Sequence, residues 1–491
     1  MVKKLFLLIS SALLFSSVLT SCNFGSLVPT DTKKYSFTYH DLGKRSAGAT
    51  HYGNSIGEGK ILVIPVTIKG YEENATEANR EKIRKAFFGS SEQTGWESVS
   101  SYFYKSSYGK LNISGEVTPW FDTNIEKDDL INYNSKYDDL GTYYILERAY
   151  AWARSRGIDM RDYDVDNDGW IDSIWLIYSC PHNQTSSSSS PYWAFTYWDY
   201  NYSIDSPSPT AANPIPNTYA WASVDFMDEG KLAGIDIDAH TYIHEHGHVL
   251  GLEDYYDYDK RHSPMGGIDM QDWNIGDHNA FSKFAWGWVL PKSVTESCDI
   301  TITPTSQSGD CIVVGNNWKG GAFDEYLMID FIDQENLWKQ DSTKMYSSLL
   351  AYTEPGIRIM HVDARIGRVS TQSDDIVEVT NYIDNHYRYK LAYSNTPSTS
   401  LTTGKYNSKT GRYTFDDLIC MVNKNHDLST TYRGAATASN DCLFKQGDVF
   451  DMKVYSDFIN DGILHSGAII PFRITITSLT KDQATLRFTK I

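Results

Sequence analysis

The chain has 491 residues, with 44 Lys+Arg against 62 Asp+Glu, a formal net charge of -18 and 14% aromatic residues. That length exceeds one ordinary core and predicts two domains. The acidic balance excludes nucleic-acid binding by phosphate neutralisation and suits an exported protein or one that recruits cations.

The chain opens MVKKLFLLISSALLFSSVLTSC. Lys3 and Lys4 precede an apolar run over residues 5–14 that is too short to span a bilayer and leads into small residues, the pattern of an export signal over residues 1–22. Its end, Leu19-Thr20-Ser21-Cys22, resembles the bacterial lipobox. That resemblance implies a lipid on Cys22 and a cell-surface lipoprotein, an ordinary secretory signal being the alternative, and no later run is apolar enough to span a bilayer, so the lipid is the only membrane contact expected. Residues 23–59 are polar, rich in Ser, Thr and Gly, and read as a tether.

Residues 60–68, KILVIPVTI, form a continuous β-branched run that predicts a buried strand, and residues 77–88 carry helical apolar spacing. SVSSYFYKSSYGKLNISGEV reads as a helix breaking at Gly109 into a strand. Residues 143–156 are amphipathic with the helical period, and residues 171–178, IDSIWLIY, are another apolar strand. Strands alternating with helices predict an α/β (α+β) domain over residues 60–292. Within it, the stretch holding residues 186–190 and SPSPTAANPIP reads as irregular surface loop bordering a cleft. Farther on, DITITP, CIVVG, EYLMIDF, GIRIMHVD and FRITITSLTKDQATLRF are short alternating segments parted by turns. They predict a β-rich, sandwich-like domain over residues 293–491 that ends in a hairpin at residues 480–483.

After Cys22, the cysteines are Cys180, Cys298, Cys311, Cys420 and Cys442, without the C-x-x-C spacing of a thiolate zinc site. Cys298 with Cys311 and Cys420 with Cys442 are candidate loop closures; buried unpaired thiols are the alternative.

The strongest chemical signal is HEHGHVLGLED, residues 244–254. Residues four apart share a helical face, so His244 and His248 present two imidazoles to one ion, while Glu245 points at its open position. Gly251 lets the chain leave the helix and turn sharply, and Asp254 can return as a third ligand. Zinc held by three protein ligands keeps a place for water, lowers its pKa towards ~7, and leaves a neighbouring carboxylate to move the proton. His240, one turn earlier, His246 inside the motif, and Asp257 after a longer turn compete for ligand roles. A buried helix with satisfied histidines is the bland reading.

Residues 164–172, DVDNDGWID, alternate carboxylates and place Gly169 sixth, the logic of an EF-hand-like calcium loop. Trp175 stands where the bidentate Glu of position twelve belongs. Asp164, Asp166, Asp168 and Asp172 are therefore candidate Ca2+ ligands, against a solvated acidic turn.

HEHGHVLGLEDYYD, followed by SPMGGIDMQD and FSKFAWGWVLP, is similar to the immune inhibitor A type of bacterial secreted metalloprotease. Further similar blocks are SVSSYFYKSSYGKLNISGEV, YDVDNDGWIDSIWLIY, EYLMIDF and GIRIMHVD, so the resemblance spans residues 60–363. It implies a metzincin-like zinc endopeptidase domain, with Asp254 in place of a third histidine and Met270 in the turn beneath the zinc, its thioether an apolar floor. Two departures stand out. Ile268 occupies a place where the family often has tryptophan, and only a short segment precedes residue 60 where the family often carries an inhibitory propeptide. Some metzincins have a tyrosine two residues after the turn methionine, but Asp272 stands here, leaving Tyr255, Tyr256, Tyr258 and His278 as unassigned candidates for stabilising the oxyanion. The expectation is a Zn2+-dependent endopeptidase acting on extracellular protein or peptide substrates, with Glu245 as general base and then acid. The alternatives are a surface binding or adhesion protein on a protease scaffold and zinc hydrolysis of another bond.

Overall fold

The computed structural model describes residues 37–44, 51–130, 141–183, 191–198, 209–258, 263–369, 375–377, 388–396, 399–401, 406–407, 412–413, 417–425, 438–455 and 463–491. The export signal with Cys22, residues 186–190 and the start of SPSPTAANPIP lie outside the described residues.

The first half is built on strands β1 (Gly57–Lys69), β2 (Leu111–Val117), β3 (Phe121–Glu126), β4 (Ile174–Tyr178), β5 (Phe195–Trp198) and β6 (Thr218–Ser223). They form one sheet in the order β2-β1-β4-β6-β5, with β3 also beside β1. Every pairing is parallel except that of β5 with β6. Both faces are covered, which is why β1 and β4 read as unbroken apolar runs. Alternate residues of β1 serve different cores, as a two-residue period requires. Ile61 and Val63 join Phe87, Tyr102 and Tyr242, from helices Glu77–Phe88, Val99–Ser106 and His240–Val249. Leu62 and Ile64 join Ile145 and Leu146 of helix Thr142–Ser155. At position 109 a φ of 75° turns the chain from helix into β2, a left-handed step that glycine takes without strain.

Two expectations fail here. The tether ends early: helix Tyr39–Lys44 forms, Tyr39 and Leu42 are buried, and β1 already begins at Gly57. Its two apolar side chains, one helical turn apart, join the core that holds Tyr242, Ile243 and Val249 of helix His240–Val249. The stretch read as irregular loop contains β5 and β6, short strands whose aromatic and β-branched residues are hidden between Pro- and Ser-rich flanks.

Beyond residue 291 the chain forms β7 (Lys292–Ser293), β8 (Cys298–Ile302), β9 (Cys311–Val314), β10 (Glu325–Ile332), β11 (Gly356–Asp363), β12 (Ile366–Val369), β13 (Asp375–Val377), β14 (Arg388–Leu391), β15 (Tyr406–Asn407), β16 (Arg412–Tyr413), β17 (Ile419–Met421), β18 (Val449–Phe450), β19 (Phe472–Leu479) and β20 (Ala484–Lys490). One sheet runs β17-β11-β10-β9-β7 and another β18-β19-β20-β8. Leu327, Ile329, Ile357 and Ile359 of the first pack with Ile474, Ile476, Leu486 and Phe488 of the second. The closing hairpin turns where Thr480 N donates to Gln483 O at 2.8 Å.

The other face of β10 and β11, with Tyr326, Met328, Met360 and Val362, belongs to the same core as the helix His240–Val249. The boundary expected at residue 292 therefore marks a change of architecture and not a gap between cores. No disulfide joins Cys180, Cys298, Cys311, Cys420 or Cys442, so neither loop closure is made. No described helix is long and apolar enough to cross a membrane.

Candidate metal centre

Helix His240–Val249 lies beneath β6 and is buried along nearly its whole length. His244 Nε2 and His248 Nε2 stand 3.1 Å apart, and Asp254 Oδ1 lies 3.0 and 3.2 Å from them. A zinc ion with bonds of about 2.0–2.1 Å needs donors ~3.3 Å apart, so these three atoms fit one. The opposite ring nitrogens donate to backbone: His244 Nδ1 to Met270 O at 2.7 Å and His248 Nδ1 to Leu252 O at 2.8 Å. Those bonds fix the tautomers and aim both Nε2 lone pairs at the shared point. Burial pushes the Asp254 carboxyl up, but His248 and the hydrogen bonds of both imidazoles outweigh it and hold the group well below its ordinary range.

Asp254 arrives through a tight turn. Leu250 N and Leu252 N donate back to His246 O and Gly247 O, both at 3.0 Å, ending the helix. Gly251 sits at φ 102°, and a Cβ there would lie 2.7 Å from Cβ of the buried Tyr39. Only glycine meets both conditions.

Glu245 faces the same cleft. Thr196 Oγ1, on β5, is 3.1 Å from Glu245 Oε2 and 2.9 Å from its backbone O. Burial raises the Glu245 pKa, offset by His248 and His244, which leaves a carboxyl suited to taking up a proton. Thr196 has no signature in the sequence. Sheet pairing alone carries it to the motif.

The competing residues have other occupations. His240 is stacked between Trp96 and Tyr346, with ring centroids 3.7 and 3.9 Å away, and its nitrogens meet Asp238 Oδ1 at 2.7 Å and Asp341 Oδ1 at 3.5 Å. His246 is edge-on to Phe103 in the core, and burial lowers its pKa to about 3, so it packs as a neutral ring. Asp257 is buried but does not join the group formed by His244, His248 and Asp254. Of the oxyanion candidates, Tyr255 OH is bonded to Ser282 Oγ at 2.7 Å, and His278 sits buried between Tyr102 and Gln271. Tyr256 and Tyr258 line the cleft, and Tyr258 OH donates to Asp254 Oδ2.

Met270 is buried, and its backbone carbonyl accepts from His244 Nδ1 at 2.7 Å. That turn is held from the β-rich half. Asp269 accepts from Gln271 N at 3.1 Å and Asn279 Nδ2 at 3.0 Å. Arg358 of β11 lies 3.7 Å from Asp269 while it grips Asp330 with bonds of 3.0 and 2.7 Å. Asn395 Nδ2 ties Tyr255 O to Ile419 O, at 2.8 and 2.9 Å.

His244, His248 and Asp254 open on a cleft of about 1260 Å³, walled by Phe195, Tyr197, Trp198 and Trp273 and, from the β-rich half, by Tyr346, Tyr389 and Tyr393.

At the acidic loop, Asp164, Asp166 and Asp168 bring carboxylate oxygens within 4.8 Å of one another, and Asn167 and Gly169 turn at φ 61° and 92°. Asp172 stands outside this group, contrary to expectation: its Oδ2 accepts from Val165 N at 2.8 Å, and burial pushes its pKa up to about 7. Asp166 already pairs with Lys44 and, at 3.1 Å, with His40. Calcium at this loop has to compete with the chain's own ammonium group.

Comparison with known protein families and with curated proteins gives no match.

Proposed function

We propose that the chain is a zinc-dependent endopeptidase of the metzincin kind, exported and anchored at the bacterial surface by lipid on Cys22. The observation that carries this reading is the convergence of His244 Nε2, His248 Nε2 and Asp254 Oδ1 beside the buried Glu245 carboxyl in an open cleft. Two imidazoles and a carboxylate favour zinc over a hard cation. Bound there, zinc supplies a Lewis acid that makes water nucleophilic near neutral pH. Glu245, held by Thr196, takes the proton and returns it to the leaving amine.

A peptide substrate is supported by β5. It is the last strand of its sheet among the described residues, it pairs antiparallel with β6, and it borders the ligands, so an extended chain can add along its outer edge by backbone hydrogen bonds. The similarity to the immune inhibitor A type points the same way. The test is zinc content and digestion of a denatured protein mixture by the protein from residue 23 onward, products read by mass spectrometry, before and after chelation. One zinc per chain at this centre and cleavage lost on chelation support the proposal. Zinc with no cleavage favours a surface binding protein built on the same scaffold.

A further inference from the structure

Among the described residues outside the cleft, one other group of side chains has the composition of a transition-metal site. Glu325 on β10, His361 on β11 and His465 in the segment before β19 present donor atoms within 4.8 Å of one another. One donor pair and the inclination of the rings match the first centre, while His465 Nδ1 stands farther off, 3.9 Å from Glu325 Oε1. His361 Nε2 lies 3.0 Å from Glu325 Oε1, as His244 Nε2 lies 3.0 Å from Asp254 Oδ1. The rings of His361 and His465 are 4.7 Å apart and inclined at 72°, against 4.8 Å and 82° for His244 and His248.

The surroundings orient these groups in the way metal ligands are oriented. Asp363 Oδ2 lies 2.8 Å from His465 Nδ1, and Asp363 is itself gripped by Arg365 through two bonds of 2.7 Å. The Glu325 carboxylate takes the backbone N–H of Ser466 at 2.8 Å and that of His465. Side-chain exposure is 2% at Glu325 and 3% at each histidine, on the face of the sheet otherwise lined by Leu327, Ile329, Ile357 and Ile359. Two imidazoles, two carboxylates and Arg365, whose guanidinium also lies 3.9 Å from Glu325, share this shielded place, where a divalent ion would pair with the carboxylates.

We propose that Glu325, His361 and His465 bind a second divalent ion of the zinc class, imidazole nitrogens favouring such ions over calcium. Its role is structural. It ties β10 and β11 to the segment that leads into β19. It also reaches the cleft through Tyr393, whose ring lies 5.2 Å from that of His465 and beneath Arg365, and which lines the cleft wall.

The test separates the two centres by counting zinc in the protein from residue 23 onward. Wild type is expected to hold two zinc ions per chain. His244→Ala/His248→Ala is expected to keep one, and addition of zinc to its metal-free form raises its unfolding midpoint; adding His465→Ala abolishes both effects. His465→Ala alone keeps one. The proposal is overturned if His244→Ala/His248→Ala holds no zinc and gains no stability from it, because Glu325, His361 and His465 then form only an ion-pair network. Loss of zinc from the first centre alone leaves this count at one, so the two readings fail separately.

Discussion

Replacing Gly251 by alanine tests whether the turn that delivers Asp254 is forced by its packing. The new methyl carbon would lie 2.7 Å from Tyr39 Cβ and 3.0 Å from its Cγ, at a backbone φ of 102°. Carbon atoms prefer separations of ~3.5–4.0 Å. Tyr39 is buried in a helix of its own and cannot swing aside. Overpacking of this kind costs ~1–3 kcal/mol, and a non-glycine residue in a sparsely populated backbone region costs of order 1–3 kcal/mol. The metal-free protein should therefore lose about 2–6 kcal/mol in urea unfolding. Any strain relieved by moving the turn displaces Asp254, so zinc affinity, measured by competition with a chromophoric chelator, falls as well. If Gly251→Ala unfolds at the wild-type urea concentration and binds zinc as tightly, the turn is not constrained as described.

Thr196→Val removes the hydroxyl that holds the Glu245 carboxyl while leaving the three ligands in place. A hydrogen bond to a charged group contributes ~1.5–3 kcal/mol, so kcat/KM should fall by about 10–100-fold with zinc content unchanged. Because that hydroxyl lowers the Glu245 pKa, the acid limb of the rate profile should move to higher pH; an unmoved limb counts against the assigned role. His240 offers a stability test. Burial works against its charge, Asp238 and Asp341 outweigh burial, and its pKa is raised from 6.5 to about 9. A raised histidine stabilises the fold fully below its unfolded value and ceases to do so as pH climbs through the folded one. The stability gap between wild type and His240→Gln, about 3 kcal/mol from that shift, should be present below pH ~6.5 and close as the pH passes about 9. A gap that does not vary with pH shows that His240 packs as a neutral ring.

Much of the candidate site was legible in the sequence because its residues are local. His244, Glu245, His248, Gly251 and Asp254 follow from helical spacing and one glycine turn. Long elements with a clear period, such as Glu77–Phe88 and β1, fall close to their expected limits. What the sequence hid depends on contacts between distant segments. Thr196 reaches Glu245 only because β5 pairs with β6 beside the helix. Met270 serves through a carbonyl, an atom every residue has, so no side-chain pattern marks it. Tyr39 and Leu42 looked like part of a polar tether because two apolar residues make no period. Glu325, His361 and His465 stand singly in three segments, and in GIRIMHVD the histidine reads as one residue of an apolar strand until β10 and β11 are paired.

Glu245→Gln tests most directly whether these residues form a hydrolytic centre. The substitution keeps the shape of the side chain and all three ligands but removes the proton acceptor. Zinc content should stay at the wild-type level, while cleavage of a denatured protein mixture falls by about 10²–10⁴-fold or more. A variant that keeps its zinc and still cuts at the wild-type rate would contradict the role given to Glu245, and the absence of zinc from both proteins would contradict the centre itself.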